Sequence, residues 1–149
     1  MIDRKALNEG EVLVTPDPKT EPFGFFVDTR SHHFMADEPE KVGGQGVGPL
    51  PMEILAASLA SCTAITLRFY AQHKGLILPP FQVKVTHKHV VKAQTQESVL
   101  QLGVTLHLEG DVSKELEEKL LEIAGKCPVH RALLGTINIT TQAAVSRGN

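Results

Sequence analysis

A chain of 149 residues fits one domain of ordinary size, and with 42% apolar residues, few aromatics and no Trp its core must be mainly aliphatic. A formal charge of -2 with both signs mixed argues against a nucleic-acid or membrane-surface binder, and no apolar run approaches the ~20 residues that span a bilayer. The opening MIDRKALNEGEVLV holds no signal-peptide apolar block, so the expected location is the cytoplasm, where two cysteines are an inert or a working pair rather than a permanent staple.

In chain order, Glu11 to Thr15 reads as a short strand broken by PDPKTEP, and Gly24 to Thr29 and His32 to Ala36 read as two more strands, a hairpin around Arg30-Ser31. The loop DEPEKVGGQGVGPLP is too rich in Gly and Pro for regular structure. From Pro51 the pattern becomes one long helix, stopped by Gly75. It is apolar nearly all round, which predicts burial on most sides. Phe81 to Val91 and Ser98 to Glu109 each alternate apolar and polar residues and predict an antiparallel pair. Ser113 caps a second helix with Leu116, Leu120, Ile123 and Ala124 along one stripe. Pro128 to Leu134 suits one or two further helical turns before Gly135, and Ile137 to Ala144 reads as a last strand. The order predicts a single α+β domain over residues 1–149, with mostly antiparallel sheet. One sheet covers one side of so apolar a helix, so an intimate dimer is the expected assembly.

Cys62 falls in the middle of the long helix, with Ser58, Leu59, Ile65 and Thr66 one turn away. The commoner reading of such a position is an inert core thiol. Cys127 lies between Gly125 and Pro128. If Pro128 opens a helical turn, Cys127 is its N-cap, and free N–H groups there favour a thiolate, although simple capping of a helix junction explains the residue as well. The spacing excludes a local C-x-x-C motif, and no second ligand pair is set out for a zinc ribbon. A mid-helix thiol gets no help from a helix end, so a reactive Cys62 needs an imported cation. Of Arg4, Arg30, Arg68, Arg131 and Arg147, Arg68 is far around the helix and Arg131 lies near Cys127. Arg30, just before the Gly-rich loop, is the best candidate, and it reads equally as an exposed hairpin residue. His87 and His89 share a strand face without a third metal ligand, and His130 is placed to tune Cys127. GGQGVG lacks the Gly-Lys-Ser/Thr ending of a phosphate loop and reads as a cover over the helix start. Asp37 and Glu38 read as loop and capping residues.

The segment ADEPEKVGGQGVGPLPMEILAASLASCTAITLRFYAQHKG resembles the signature of the OsmC/Ohr family: an acidic D-E-P, a Gly-Gly loop ending in Gly-Pro, a P-x-E-I-L helix start and a small-residue run ending in Cys. KCPVHRALLG resembles the family's second-cysteine segment, in the branch that carries C-P-V-H. The resemblance implies an intertwined homodimer in which antiparallel sheets wrap a long central helix. It also implies a thiol-dependent hydroperoxide reductase without a cofactor. In that scheme Cys62 attacks the peroxide, Cys127 resolves it as a disulfide, Arg30 activates, and a dithiol reductant resets the pair. In the Ohr type a glutamate directly follows the helix-start proline. Here Met52 stands there, and Glu53, one place later, is turned about 100° around the helix and suits its N-terminus. The alternative is a non-catalytic module of the same fold that binds an apolar small molecule at the dimer interface. A Cys/His metal site is a third, weaker option.

Overall fold

A computed structural model describes residues 2–145. The chain falls into two compact units, Met1–Ala57 with His87–Leu102, and Ser58–Thr86 with Gly103–Asn149.

In the first unit, β1 (Leu13–Pro16), β2 (Phe25–Asp28) and β3 (His33–Ala36) form an antiparallel meander. Val27 stands opposite Val14 on one side and Phe34 on the other, and its side chain is buried. The β2–β3 turn closes where the Thr29 N–H donates to the His32 carbonyl at 2.8 Å. The loop that follows is organised by one carboxylate. Asp37 is buried, and it accepts the N–H of Glu38 at 2.8 Å, of Gln45 at 2.9 Å and of Val47 at 3.2 Å. Burial alone would raise its pKa, but these bonds outweigh it and hold the group below the ordinary value. Contrary to the expectation of a wholly irregular segment, one 3₁₀ turn forms at Glu40–Val42. It ends at Gly43, whose φ of 100° a side chain would strain.

Helix α1 (Pro51–Lys74) runs through both units, as do strands β4 (Phe81–Val91) and β5 (Ser98–Leu108). Leu50 is the α1 cap. Its carbonyl takes the Ile54 N–H at 3.0 Å, and the Glu53 carboxylate reaches back to the Leu50 N–H at 2.9 Å. This is half of a capping box, so Glu53 serves the helix start. At the other end Gly75 adopts φ 62°, and the Leu76 N–H donates to the Ala71 carbonyl at 2.9 Å, a Schellman closure.

β4 and β5 pair with each other. The Lys92 N–H donates to the Glu97 carbonyl at the tip and the Glu109 N–H to the Pro80 carbonyl at the base, each at 3.0 Å, so the ladder is antiparallel.

The second unit holds the core. Leu67 of α1 packs with Leu120 and Ile123 of α2 (Lys114–Ala124), ringed by Tyr70, Leu78, Phe81, Leu106, Leu108 and Leu116. Each fully buried leucine contributes roughly 1.5–3 kcal/mol of transfer free energy. Ser113 caps α2 by accepting the Leu116 N–H at 3.2 Å, as its position predicts. A seven-residue α3 (Pro128–Leu134) follows, with Cys127 as its N-cap.

Three expectations need correction. Ile137 to Ala144 is not a strand. The stretch has β-branched residues but no sheet partner among the described residues, and Ile137 and Ile139 stay exposed. Next, α1 is buried along one stripe, Ala56, Leu59, Thr63, Leu67 and Ala71, while Ile65 and Phe69 remain open. A single chain supplies packing for that side alone. Finally, by length and composition α1 is apolar enough to cross a membrane. Short runs broken by Ala, Ser and Thr conceal this until hydropathy is averaged over several turns. Its buried stripe is that of a core helix.

Candidate active site

Cys62 and Cys127 both lie in the second unit, and both are free thiols. Cys62 sits mid-way along α1. It is half-buried. Cys127 has 0% exposure. It occupies the break between α2 and α3, where Gly125 ends one helix and Pro128, with no N–H to lose, begins the next. The two thiols lie close enough for each to act on the other's ionisation. The fold thus brings together two residues far apart in sequence, one half-buried and one fully buried.

Their electrostatics differ in sign. Burial pushes the Cys62 thiol up, and Cys127 adds to this as hydrogen-bond acceptor and by its charge. The Val129 N–H and the Thr66 hydroxyl oppose the rise without cancelling it. Burial also pushes Cys127 up, but here hydrogen bonds from Cys62, the His130 N–H, the Thr63 hydroxyl and the Val129 N–H prevail. Cys127 ends below the ordinary thiol value.

Thr63 is the residue that sequence reasoning passed over. It is fully buried beside Cys62 in the chain, and its hydroxyl donates to the Leu59 carbonyl at 2.8 Å. The signal was present: Thr63 is four residues from both Leu59 and Leu67, which places it on the buried stripe rather than on the Cys62 side. His130 contributes through its backbone N–H.

The arginines are placed as follows. Arg68 lies over the Phe81 ring at 5.1 Å. Arg131 donates its N–H to the Cys127 carbonyl at 3.0 Å and is exposed. Arg30 belongs to the first unit, on the β2–β3 turn beside a small polar hollow with Lys5, Asp28, His32 and His33. Its guanidinium meets the Glu9 carboxylate at 3.6 Å, and both side chains are largely open. Arg147 and the Arg4 side chain lie outside the described residues. Met52 is half-buried and leaves its position without a carboxylate. His87 and His89 are exposed on β4, and no group of three or more His, Cys, Asp or Glu among the described residues could hold a metal ion.

The family model for OsmC-like protein matches residues 43–142, a span that includes both cysteines. The chain belongs to the OsmC-like family. Three solved structures carry the same fold. An OsmC-like protein from Mycoplasma pneumoniae superposes with a TM-score of 0.68 at 16% identity, covering 86% of this chain and 89% of that one. The organic hydroperoxide resistance protein OhrB of Bacillus subtilis gives 0.60 at 17%, covering 84% and 91%. An organic hydroperoxide resistance protein OsmC from Legionella pneumophila gives 0.58 at 21%, covering 86% and 92%. No curated protein matches the sequence. The OsmC-like assignment accounts for the mixture of helix and antiparallel sheet and for the long helix that carries Cys62. The match begins after Arg30, so that residue draws no support from it.

Proposed function

We propose that the chain is a thiol-dependent reductase of organic hydroperoxides. The observation that carries this reading is the proximity of a half-buried Cys62 to a fully buried Cys127. The Cys62 sulfur attacks the terminal peroxide oxygen. An S–O bond forms, the O–O bond breaks, and the alkoxide leaves as an alcohol after taking a proton. Cys127 then displaces the hydroxyl of the sulfenic acid, giving a disulfide and water. A dithiol reductant restores both thiols. Two proteins of this fold are organic hydroperoxide resistance proteins, which agrees with this chemistry.

In this reading Arg30 supplies a positive charge to Cys62. Its exposed ion pair with Glu9 is of a kind worth little, so the guanidinium is easily recruited. The functional assembly is a homodimer, in which a second copy covers the open face of α1 at Ile65 and Phe69. Its place of work is the cytoplasm, where dithiol reductants are at hand.

Titrating thiols after mixing the reduced protein with cumene hydroperoxide tests the proposal. Wild type should lose both thiols of each chain, and Cys62→Ser should keep its remaining one. Full retention in wild type would sink the redox reading.

A second reading is a binding module for an apolar small molecule. It is favoured by an open cavity of about 430 Å³ in the first unit, lined by Phe23, Phe25, Val27, Ala36 and Ile54. It requires saturable binding without peroxide turnover, undisturbed in Cys62→Ser.

A further inference from the structure

We propose that the cavity of the first unit takes a small organic cation, an apolar body bearing one quaternary ammonium group, with Glu38 meeting the charge and Phe23 and Phe25 meeting the head. This rests on the cavity of the second reading above and names the ligand it selects. It stands whether or not Cys62 reduces peroxides.

The strand register builds an apolar wall. Phe25 stands opposite Ala36, and Val27 opposite Val14, so these four side chains share one face of the meander. Ala36 fills little of the space beside the Phe25 ring, and Pro51 and Ile54 of α1 complete the apolar lining. The Phe23 ring lies within van der Waals reach of Gly43, 3.5 Å from where a side chain there would begin. An open volume of about 430 Å³ remains. That falls within the roughly 300–1,000 Å³ of small-molecule sites.

Charge decides what the cavity selects. Its charged lining residues are Asp37 and Glu38, and no Lys, Arg or His stands among them. Asp37 is committed to the loop, its oxygens taken by the N–H groups of Glu38, Gln45 and Val47. Glu38 is half-buried, and its carboxylate has no hydrogen-bond or ion-pair partner among the described residues. Its main chain is held on both sides: the Glu38 N–H donates to Asp37 at 2.8 Å, and the Glu38 carbonyl accepts the Gly46 N–H at 3.4 Å. A carboxylate placed so repels an anion, and a neutral ligand would leave it facing an apolar surface with nothing to compensate its charge. A cation compensates it. The two phenyl rings act in the same direction, because the face of an aromatic ring attracts positive charge. A quaternary ammonium brings no N–H groups, so it suits a wall that is otherwise hydrocarbon better than a primary amine does.

The test titrates the full reduced chain, followed by NMR, with benzyltrimethylammonium and with neopentylbenzene, which keeps the shape and puts carbon in place of nitrogen. Wild type should bind the cation saturably and roughly tenfold more tightly than the neutral probe, the order expected when a ring face and a carboxylate act together on a partly desolvated cation. Added salt should weaken the cation alone. Glu38→Gln should bring the cation down to the affinity of the neutral probe and leave the neutral probe unchanged. Phe23→Leu, at a half-exposed position that keeps its apolar character, should cost the cation roughly threefold and the neutral probe little. Equal affinity for the two probes in wild type, or a preference that survives Glu38→Gln, would overturn the cation selectivity and leave the apolar binding reading standing. Failure of both probes to bind would remove the site and that reading together. Affinity that falls as the protein concentration rises would give the cavity to a second copy of the chain and overturn the proposal.

Discussion

The Thr63 hydroxyl donates to the Leu59 carbonyl at 2.8 Å from a position with no solvent exposure. It is also one of the groups that hold Cys127 below its ordinary value. Thr63→Val replaces the hydroxyl with a methyl of similar size. The Leu59 carbonyl keeps its helical N–H partner, so the stability change should stay near 1 kcal/mol. The Cys127 thiolate, in contrast, should require a higher pH to form. A thiolate absorbance titration beside a urea melt separates the two effects.

Asp37 is the pin of the Gly-rich loop. Its folded pKa lies below the ordinary value of 3.8. The stability it contributes is therefore complete above that value and is lost as pH falls through the lower folded one. Asp37→Asn should lower the melting midpoint by a few degrees at neutral pH. The gap from wild type should close in acid once the native carboxylate is itself protonated. Calorimetry at several pH values reads both.

The cap and core of α2 should respond on different scales. Ser113→Ala removes the acceptor of the Leu116 N–H and should cost about 1 kcal/mol. Leu120→Ala empties a site that is only 1% exposed and should cost about 2–5 kcal/mol. Because α2 leads directly to Cys127, the second variant should also slow disulfide closure, measured as thiol loss after peroxide. Denaturant unfolding gives the energies.

Ile65 and Phe69 lie one and two turns beyond Cys62 on the same side of α1 and are open in the single chain. If a second copy covers them, Phe69→Asp should convert the dimer to a monomer by light scattering. A wild type already monomeric at micromolar concentration would remove the dimer from the proposal.

Arg30→Ala should slow peroxide oxidation of Cys62 by roughly ten- to a hundredfold if the guanidinium stabilises charge in the attack. Arg30→Lys should recover part of that loss, because charge is kept while the planar fork is not. An unchanged rate in Arg30→Ala would return the residue to its surface ion pair with Glu9.

Most of the architecture was legible because each element carries its own punctuation. Pro51 and Gly75 bound α1, Ser113 starts α2, Pro128 starts α3, and alternation sets β4 and β5. The Glu53 assignment to the helix start also followed from position alone. Strand propensity at Ile137 misled because a strand is a property of two segments, and the sequence does not name the second. The approach of Cys62 to Cys127 was invisible for the same reason: no local pattern encodes contact between α1 and the α2–α3 junction. Thr63 was missed because its neighbour Cys62 drew attention to the other side of the helix, although the spacing to Leu59 and Leu67 marks it.

Cys127 lies in a junction and not within a helix, and that placement divides the work of closing a disulfide. Cys62 is fixed by continuous helical hydrogen bonding on either side, so bond formation must be accommodated by the Gly125–Lys126–Cys127 hinge. In the proposed redox cycle a three-residue joint would flex while the rod that carries Cys62 keeps its shape. Repeated oxidation and reduction would thus proceed without unravelling the scaffold.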